Sequence, residues 1–408
     1  MLLKNSFTHD ARVLREATSL TEAGYSVTVI ALMAKNLPEF ETTPTGINIV
    51  RVNRGLGSSL HAVSDPSQTQ TKKPARNRRL RALAVRFVKL AAATPVGEII
   101  QKKIDHRMFD AAKTTSPDII HAHDLDTLAV GVRLSKELGI PLIYDSHEIA
   151  SQRNHHSATR KRRSYDLEKK LIDKVDRIIM VSQGCADYTA QIHNIATPDV
   201  VMNCPYLPIA EPQARNLRTA LDIPDQQFLV VHQGSLQRNR GIEQTIEAVR
   251  NISDCTLVII GFGQYRPALE QYVVNQRLED KVKFFGPVPS SELVEWTASA
   301  DLGIATIVGH SKSYLHSMPN KLFEYVMAGI PVIASNYPDM GTFVSENKLG
   351  LTCNPESVGE IQQAIERLRD DADLRREFAT NSNTARQNFN WQKEQEKLLA
   401  IYREVLNN

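Results

Sequence analysis

Short β-branched runs alternate with stretches of helical period along most of the chain. In the first half the runs are Val27–Leu32, Ile47–Val52, Ile119–Ala122, Leu142–Asp145 and Ile178–Val181. In the second they are Phe228–His232, Thr256–Ile260, Val282–Phe285, Leu302–Ala305 and Pro331–Ala334. Continuously apolar strands separated by helices imply parallel sheets covered on both faces. The pattern predicts an α/β fold of two doubly wound sheets, one per half. The first helix places Val13, Leu14, Ala17 and Leu20 on one face. A doubly wound half normally opens on a full buried strand, yet only Met1–Leu3 precede the polar turn Lys4–His9. Either that strand is very short or the start lies upstream.

The halves join near Val200–Pro212, where MNCPYLPIAEP is rich in proline and poor in periodicity. This predicts an acceptor-side domain at 1–199, a nucleotide-binding domain at 200–386 and a returning segment at 387–408. The last helix, Trp391–Leu406, has no strand after it and should pack back on the first domain. A chain of 408 residues can build two cores, and 42% hydrophobic with 23% charged residues is ordinary for a globular protein. Cys185, Cys204, Cys255 and Cys353 lie far apart, without a CxxC pair or metal-ligand spacing, and read as reduced. No charged and apolar leader opens the chain, and no apolar run approaches the roughly 18 residues of a membrane span. A cytoplasmic protein is expected.

Charge adds a second feature. Residues 72–107 carry 11 Lys/Arg against 2 Asp/Glu, and residues 151–178 carry 9 against 4. The rest of the chain is acidic, so these basic segments point to an anionic partner of the first half. Within the first, Leu80, Leu83, Ala84, Phe87 and Ala91 share a helical face, with Arg79, Arg86 and Lys89 elsewhere. A basic amphipathic helix of this kind can lie on an anionic membrane surface, making the protein peripheral. It can equally pack on its own domain with a solvated basic face. Nucleic acid is a weaker choice, because no aromatic residues are interleaved to stack bases.

The most informative segment runs from Ser317 to Ser335, SMPNKLFEYVMAGIPVIAS. Pro319 suits a helix start, and Asn320 and Lys321 then sit where free backbone N–H groups favour an anion. Glu324 is one turn further on the same face, able to accept hydrogen bonds from vicinal sugar hydroxyls. Gly329 ends the helix and the next buried strand follows. A plain capped helix explains the proline and glycine, but not a lysine and glutamate together on that side. Gly234–Gly241 and Gly261–Gly263 are further strand-to-helix turns whose small residues let a ligand approach the backbone.

With these segments the chain resembles the retaining nucleotide-sugar glycosyltransferases of family 4, which have two facing Rossmann-like domains (the GT-B architecture). PNKLFEY…AGIPVIAS looks like their donor-site signature. Asp10-Ala-Arg12-Val13 with Arg15-Glu16-Ala17, Asp118–Asp124, Tyr144–Glu148, Gly234–Gly241 and Ile260–Gly263 match in order. The order is specific for the family, not for a substrate. The resemblance implies transfer from a nucleotide sugar, UDP favoured over GDP, to a glycan or lipid-linked acceptor. It further implies retention of configuration, no required metal or other cofactor, and a place in surface polysaccharide or glycoconjugate assembly. Glu324 resembles the second glutamate of the E-x7-E motif, which holds the ribose; the first falls on His316. Other branches also lack that acid, so the change is not read as loss of activity. Arg240 matches the lysine on the diphosphate, and Ser235 stands where many members have arginine. Arg240 and Lys321 would then supply the positive charge there. Gly234, Ser235, Gly261, Gly263, His316, Pro319 and Asn320 complete the implied donor site.

His121 and His123 end one strand on one face, and Asp124 follows. By resemblance His123 faces the donor sugar and acceptor, while His121 reads more simply as structural. His147 and Glu148 end the next strand and line the same wall. Asp10 and Arg12 either face the acceptor or pair with each other. A His-x-His strand end also suggests a metal hydrolase, but no further ligand set recurs at successive strand ends. A sugar-nucleotide epimerase on the same architecture is a second rival. A non-catalytic nucleotide-binding protein, motivated by Ser235 and His316, is a third.

Overall fold

The computed structural model describes residues 1–8, 10–54, 95–154, 156–208 and 215–407, with only the backbone for Pro95 and Val96. Among them run thirteen strands: β1 (Thr28–Leu32), β2 (Phe40–Thr42), β3 (Asn48–Val52), β4 (Ile120–His123), β5 (Leu142–Ser146), β6 (Arg177–Met180), β7 (Asp199–Val200), β8 (Phe228–Gln233), β9 (Cys255–Ile260), β10 (Val282–Phe285), β11 (Leu302–Ala305), β12 (Val332–Ser335) and β13 (Gly350–Cys353).

In the second half, six parallel strands run in the order β10-β9-β8-β11-β12-β13. Strand order reverses between β8 and β11, so the loops leaving these two strands diverge and open a crevice at their carboxyl ends. One hydrophobic cluster covers each face, with Ile246, Leu257 and Leu302 on one side and Val231, Phe323 and Val332 on the other.

The first half holds the groups β1-β3-β2 and β4-β5-β6-β7. The segment Met1–Leu3 joins them. Leu2 bridges Ile30 on one side and Ala122 on the other, both in parallel. Its amide donates to the His121 carbonyl at 2.8 Å, and Leu3 donates to the Ile30 carbonyl at 2.9 Å. The opening strand of this half is thus a very short one at the switch point, and the loops after Leu3 and after β4 face the same crevice.

Three strands lie outside the predicted runs: β2, which pairs antiparallel with β3, the two-residue β7, and β13. The first helix, Ala11–Glu22, buries Val13, Ala17 and Leu20 of its expected face but not Leu14. Leu14 is exposed, while Arg12 and Glu16 are buried beside Val13, Ala17 and Leu20. The expected basic amphipathic helix Leu80–Ala93, and all of segment 72–107 up to residue 94, lie outside the described residues. The later basic segment contains the helix Ala158–Leu171, with Arg162 and Arg163 solvent-exposed. Among the described residues no helix is long and apolar enough to cross a membrane.

The helix Trp391–Asn407 returns to the first half. Trp391, Leu398, Ile401 and Tyr402 join the cluster of Val13, Ala17, Val29 and Ile143, and the Trp391 indole N–H donates to Ser19 Oγ at 2.8 Å. A wholly buried indole with a satisfied donor is a strong anchor. Trp391→Ala should therefore cost about 3–5 kcal/mol in denaturant unfolding. A loss below about 1 kcal/mol would show that the returning helix contributes little to the fold.

Candidate active site

The carboxyl ends of the two sheets face each other across a cleft of about 740 Å³. Asp10, Arg12 and His147 line it from the first half; Arg240, Pro319 and Asn320 line it from the second.

On the first wall, Asp10 caps the helix Ala11–Glu22, accepting from the Val13 amide at 3.2 Å and from Asn5 Nδ2 at 2.8 Å. Arg12 pairs with Asp145, not with Asp10. Its Nε and Nη2 fork onto Asp145 Oδ2 and Oδ1 at 2.8 and 2.9 Å, and Nη1 donates to the Val201 carbonyl at 2.8 Å. Glu16 Oε1 lies 3.0 Å from the same Nε. Burial alone would raise the Asp145 carboxyl, but Arg12, His147 and His123 outweigh it and hold the group well below the usual range. Burial and the neighbouring Asp145 push Glu16 well above its ordinary value. One acid of the pair therefore carries the charge that Arg12 meets.

Register sets His123 directly beside Asp145. His123 Nδ1 is 3.4 Å from Asp145 Oδ2 and 3.3 Å from His147 Nε2, which is itself 3.3 Å from Asp145 Oδ2. His123 is only 2% exposed and lies one layer behind His147, which reaches the cleft. Burial lowers His123, so its ring is neutral near pH 7. For His147 burial is overcome by Asp124 and Asp145, which hold the imidazolium to about 10. Asp124, with φ of 61°, sits at the start of the helix Leu125–Leu138 and accepts from the His147 amide at 3.3 Å. Such a backbone in a non-glycine residue is maintained only where surrounding contacts fix it. Behind His123, the His121 ring stacks at 4.1 Å and its Nδ1 is 2.8 Å from the Tyr402 hydroxyl of the returning helix.

The donor atoms of Glu16, His121, His123 and Asp145 gather within 4.8 Å of one another. Two imidazoles and two carboxylates are a set that a transition metal can use. Spacing along the chain did not reveal it, because Glu16 lies on a helix distant in sequence. The Arg12 guanidinium, however, already lies 2.8 Å and 3.0 Å from the two carboxylates. It neutralises them and would repel a dication, so the donor set does not suit a metal and no catalytic step is assigned to one.

On the second wall, β8 ends in Gln233 and two turns stack backbone on backbone. Gly234 has φ of 114° and Gly261 of 142°, and a Cβ on Gly261 would lie 2.0 Å from the Gly234 carbonyl oxygen. Gly263 is pressed on Leu236 in the same way, with a Cβ 2.2 Å from its oxygen. Only glycine fits such approaches. Gly234 itself opens outward, since a Cβ there meets nothing within 4 Å, and Ser235 beside it is exposed. Arg240 holds its guanidinium carbon 5.7 Å from the centre of the Tyr314 ring.

The helix Asn320–Ala328 begins with Pro319 at the N-cap, one position earlier than a first-turn proline, and no side chain caps it. Its first N–H groups are thus free for a ligand at the cleft. Gly329 closes the other end in the left-handed conformation. Glu324 Oε2 accepts from Gln233 Nε2 at 2.6 Å, and Gln233 Oε1 accepts from Thr297 Oγ1 at 2.6 Å. Gln233 therefore fixes the glutamate. It escaped notice in the sequence because it lies one residue before the glycine turn.

Several hydrogen bonds tie the walls together. Asn203, between the halves, donates to Asn320 Oδ1 at 2.8 Å and accepts from Arg15. His316 Nδ1 is 3.0 Å from Asp339 Oδ1, whose other oxygen accepts from the Gly184 amide at 3.0 Å. The His316 carbonyl accepts from Ser182 Oγ at 2.7 Å. The side chain of His316 is thereby committed to a clasp between the halves.

Two family models match in tandem. The Glycosyl transferase 4-like domain covers residues 9–205, and Glycosyl transferases group 1 covers residues 213–385. The chain belongs to the GT-B glycosyltransferases. This glycosyltransferase is similar to the D-inositol 3-phosphate glycosyltransferase of Paenarthrobacter aurescens, 26% identical over 71% of this chain and 73% of that one. It is 24% identical to glycogen synthase of Mycobacterium tuberculosis, over 68% and 66% of the two chains. Sucrose-phosphate synthase from Thermosynechococcus elongatus shares its fold, with a TM-score of 0.74 at 20% identity over 97% and 92%. So does HepE of Anabaena, solved in complex with UDP, with a TM-score of 0.70 at 18% identity over 99% and 98%.

In this glycosyltransferase the buried fork on Asp145 makes a direct prediction. Asp145→Asn leaves Arg12 without its bidentate partner and should cost about 3–5 kcal/mol of unfolding free energy. A variant within about 1 kcal/mol of the parent would mean that Glu16 alone can meet the guanidinium.

Proposed function

We propose that this glycosyltransferase binds a UDP-sugar in the second half, with its diphosphate at the amino end of the helix Asn320–Ala328, and transfers the sugar with retention. The observation that carries this reading is the conjunction of three groups there. The helix start is uncapped and opens on the cleft, Arg240 stands beside it, and Glu324 is held by Gln233 with its remaining carboxylate oxygen available. Free N–H groups and the guanidinium bind the diphosphate oxygens. The carboxylate accepts from the ribose hydroxyls. The HepE complexes with UDP and UDP-glucose support uridine as the base.

In the reaction the anomeric C–O bond of the donor breaks and the diphosphate departs carrying its electron pair. The acceptor oxygen attacks from the same face and passes its proton to the departing phosphate oxygen. Arg240, Lys321 and the helix end stabilise the charge that develops. On the opposite wall the His147 imidazolium adds positive charge, with His123 and Asp145 behind it. Contact between the walls excludes water that would hydrolyse the donor.

We assign the acceptor side to residues 1–199, the donor side to 200–386 and the returning segment to 387–408. The acceptor is a glycan or lipid-linked sugar of surface polysaccharide or glycoconjugate assembly. The basic helix Ala158–Leu171 supports an approach to an anionic membrane face. Vesicles of anionic phospholipid should bind the parent protein and release it when Arg162 and Arg163 are changed to Gln; equal binding by both would remove the membrane from this reading.

Calorimetry against UDP, GDP and ADP should give tightest binding to UDP. Glu324→Ala should weaken UDP at least about tenfold, and Arg240→Ala should lower kcat by about a hundredfold with a smaller effect on KM. Parent-like kinetics and binding in both variants would overturn the donor placement.

A further inference from the structure

Lys321 is a buried cation of the second half with an unusual partner. Its Nζ lies 3.0 Å from His232 Nε2, and both side chains are almost fully enclosed. Among the described residues no ion pair joins Lys321 to an acid. The charged and titratable groups facing it are few. From β8 comes His232, kept neutral by burial, Lys321 and Arg240. From the loop after β8 comes Arg240. From its own helix comes Glu324, which is tied to Gln233 and also feels Arg15 of the first helix.

An ammonium buried against a neutral imidazole and near a guanidinium gains little to offset its lost hydration. Shedding a proton relieves the site. Lysine accommodates this, whereas arginine cannot. Burial first, and Arg240 second, bring the Lys321 amine down to about 7.

Resting on the donor placement above, we propose that above neutral pH Lys321 stands largely uncharged in the empty cleft, hydrogen-bonded to His232, and takes up a proton when the donor diphosphate binds. The proton comes from solvent and forms an N–H bond with the Nζ lone pair. The new positive charge offsets one of the incoming negative charges. The charge is thus present only while its counter-ion is present, and the resulting ammonium stands beside the leaving group during transfer.

The sign follows from linkage. A bound diphosphate favours the ammonium and raises its pKa above the free value, so uptake occurs between the two. At low pH the amine is protonated in both states and no proton is taken up. Near pH 8 the free amine is mostly unprotonated.

Titration calorimetry of the full chain with UDP, in two buffers of different ionisation enthalpy at pH 8, counts the proton directly. UDP phosphates are already ionised at that pH. The parent protein should take up most of one proton per UDP, and its UDP affinity should fall by up to about tenfold between pH 8 and 9. Lys321→Arg, permanently charged, should bind UDP with neither the uptake nor the fall. UDP binding by the parent without proton uptake, or equal uptake in Lys321→Arg, would overturn the proposal. Failure of the parent to bind UDP at all would instead overturn the donor placement.

Discussion

The bidentate grip of Arg12 on Asp145 is the contact on which the first wall of the cleft depends. It ties the first helix to β5 and, through the Val201 carbonyl, to the segment joining the halves. It also fixes the local charge. With Arg12 holding one acid ionised, Asp145 can support His147 as an imidazolium while buried His123 stays neutral behind it. A cation placed inside the fold thus decides which histidine presents charge to the cleft.

The second wall uses the opposite device. Instead of a buried ion pair it offers an uncapped helix end, two glycine turns in backbone contact and a lysine bonded to a histidine. Such a surface suits an anion. Both walls occupy the place where strand order reverses in a parallel sheet, so the fold itself sets them face to face. Asn203, bonded to both Arg15 and Asn320, and the bonds from Gly184 to Asp339 and from Ser182 to the His316 carbonyl then hold them together.

Much of this was legible in the sequence. Ten apolar runs marked ten strands, with ends shifted by a residue or so, because a strand buried on both faces must be apolar throughout. The short pieces escaped for the same reason reversed: β2 is exposed along its length, and β7 has only two residues, both half-buried. On the first helix, the hydrophobic pattern found Val13, Ala17 and Leu20 but misjudged the edge of the buried face. Leu14 points outward, whereas Arg12 and Glu16 are buried because the polar cluster needs them. Functional interiors are where period and burial part company. His147 could be named from a strand end, and Arg240 from the family resemblance. The layering of His123 behind His147 could not, since it depends on strand register. Nor could Gln233 or Asp339, which matter through partners distant in the chain.

The central claim is that the amino end of the helix Asn320–Ala328 receives the diphosphate. A crystal structure of the protein with UDP tests it most directly. It should show phosphate oxygens on the backbone N–H groups at Asn320 and Lys321 and on the Arg240 guanidinium, with the ribose hydroxyls on Glu324. A nucleotide seated against the Arg12–Asp145 wall, or one that leaves this helix end untouched, would contradict it.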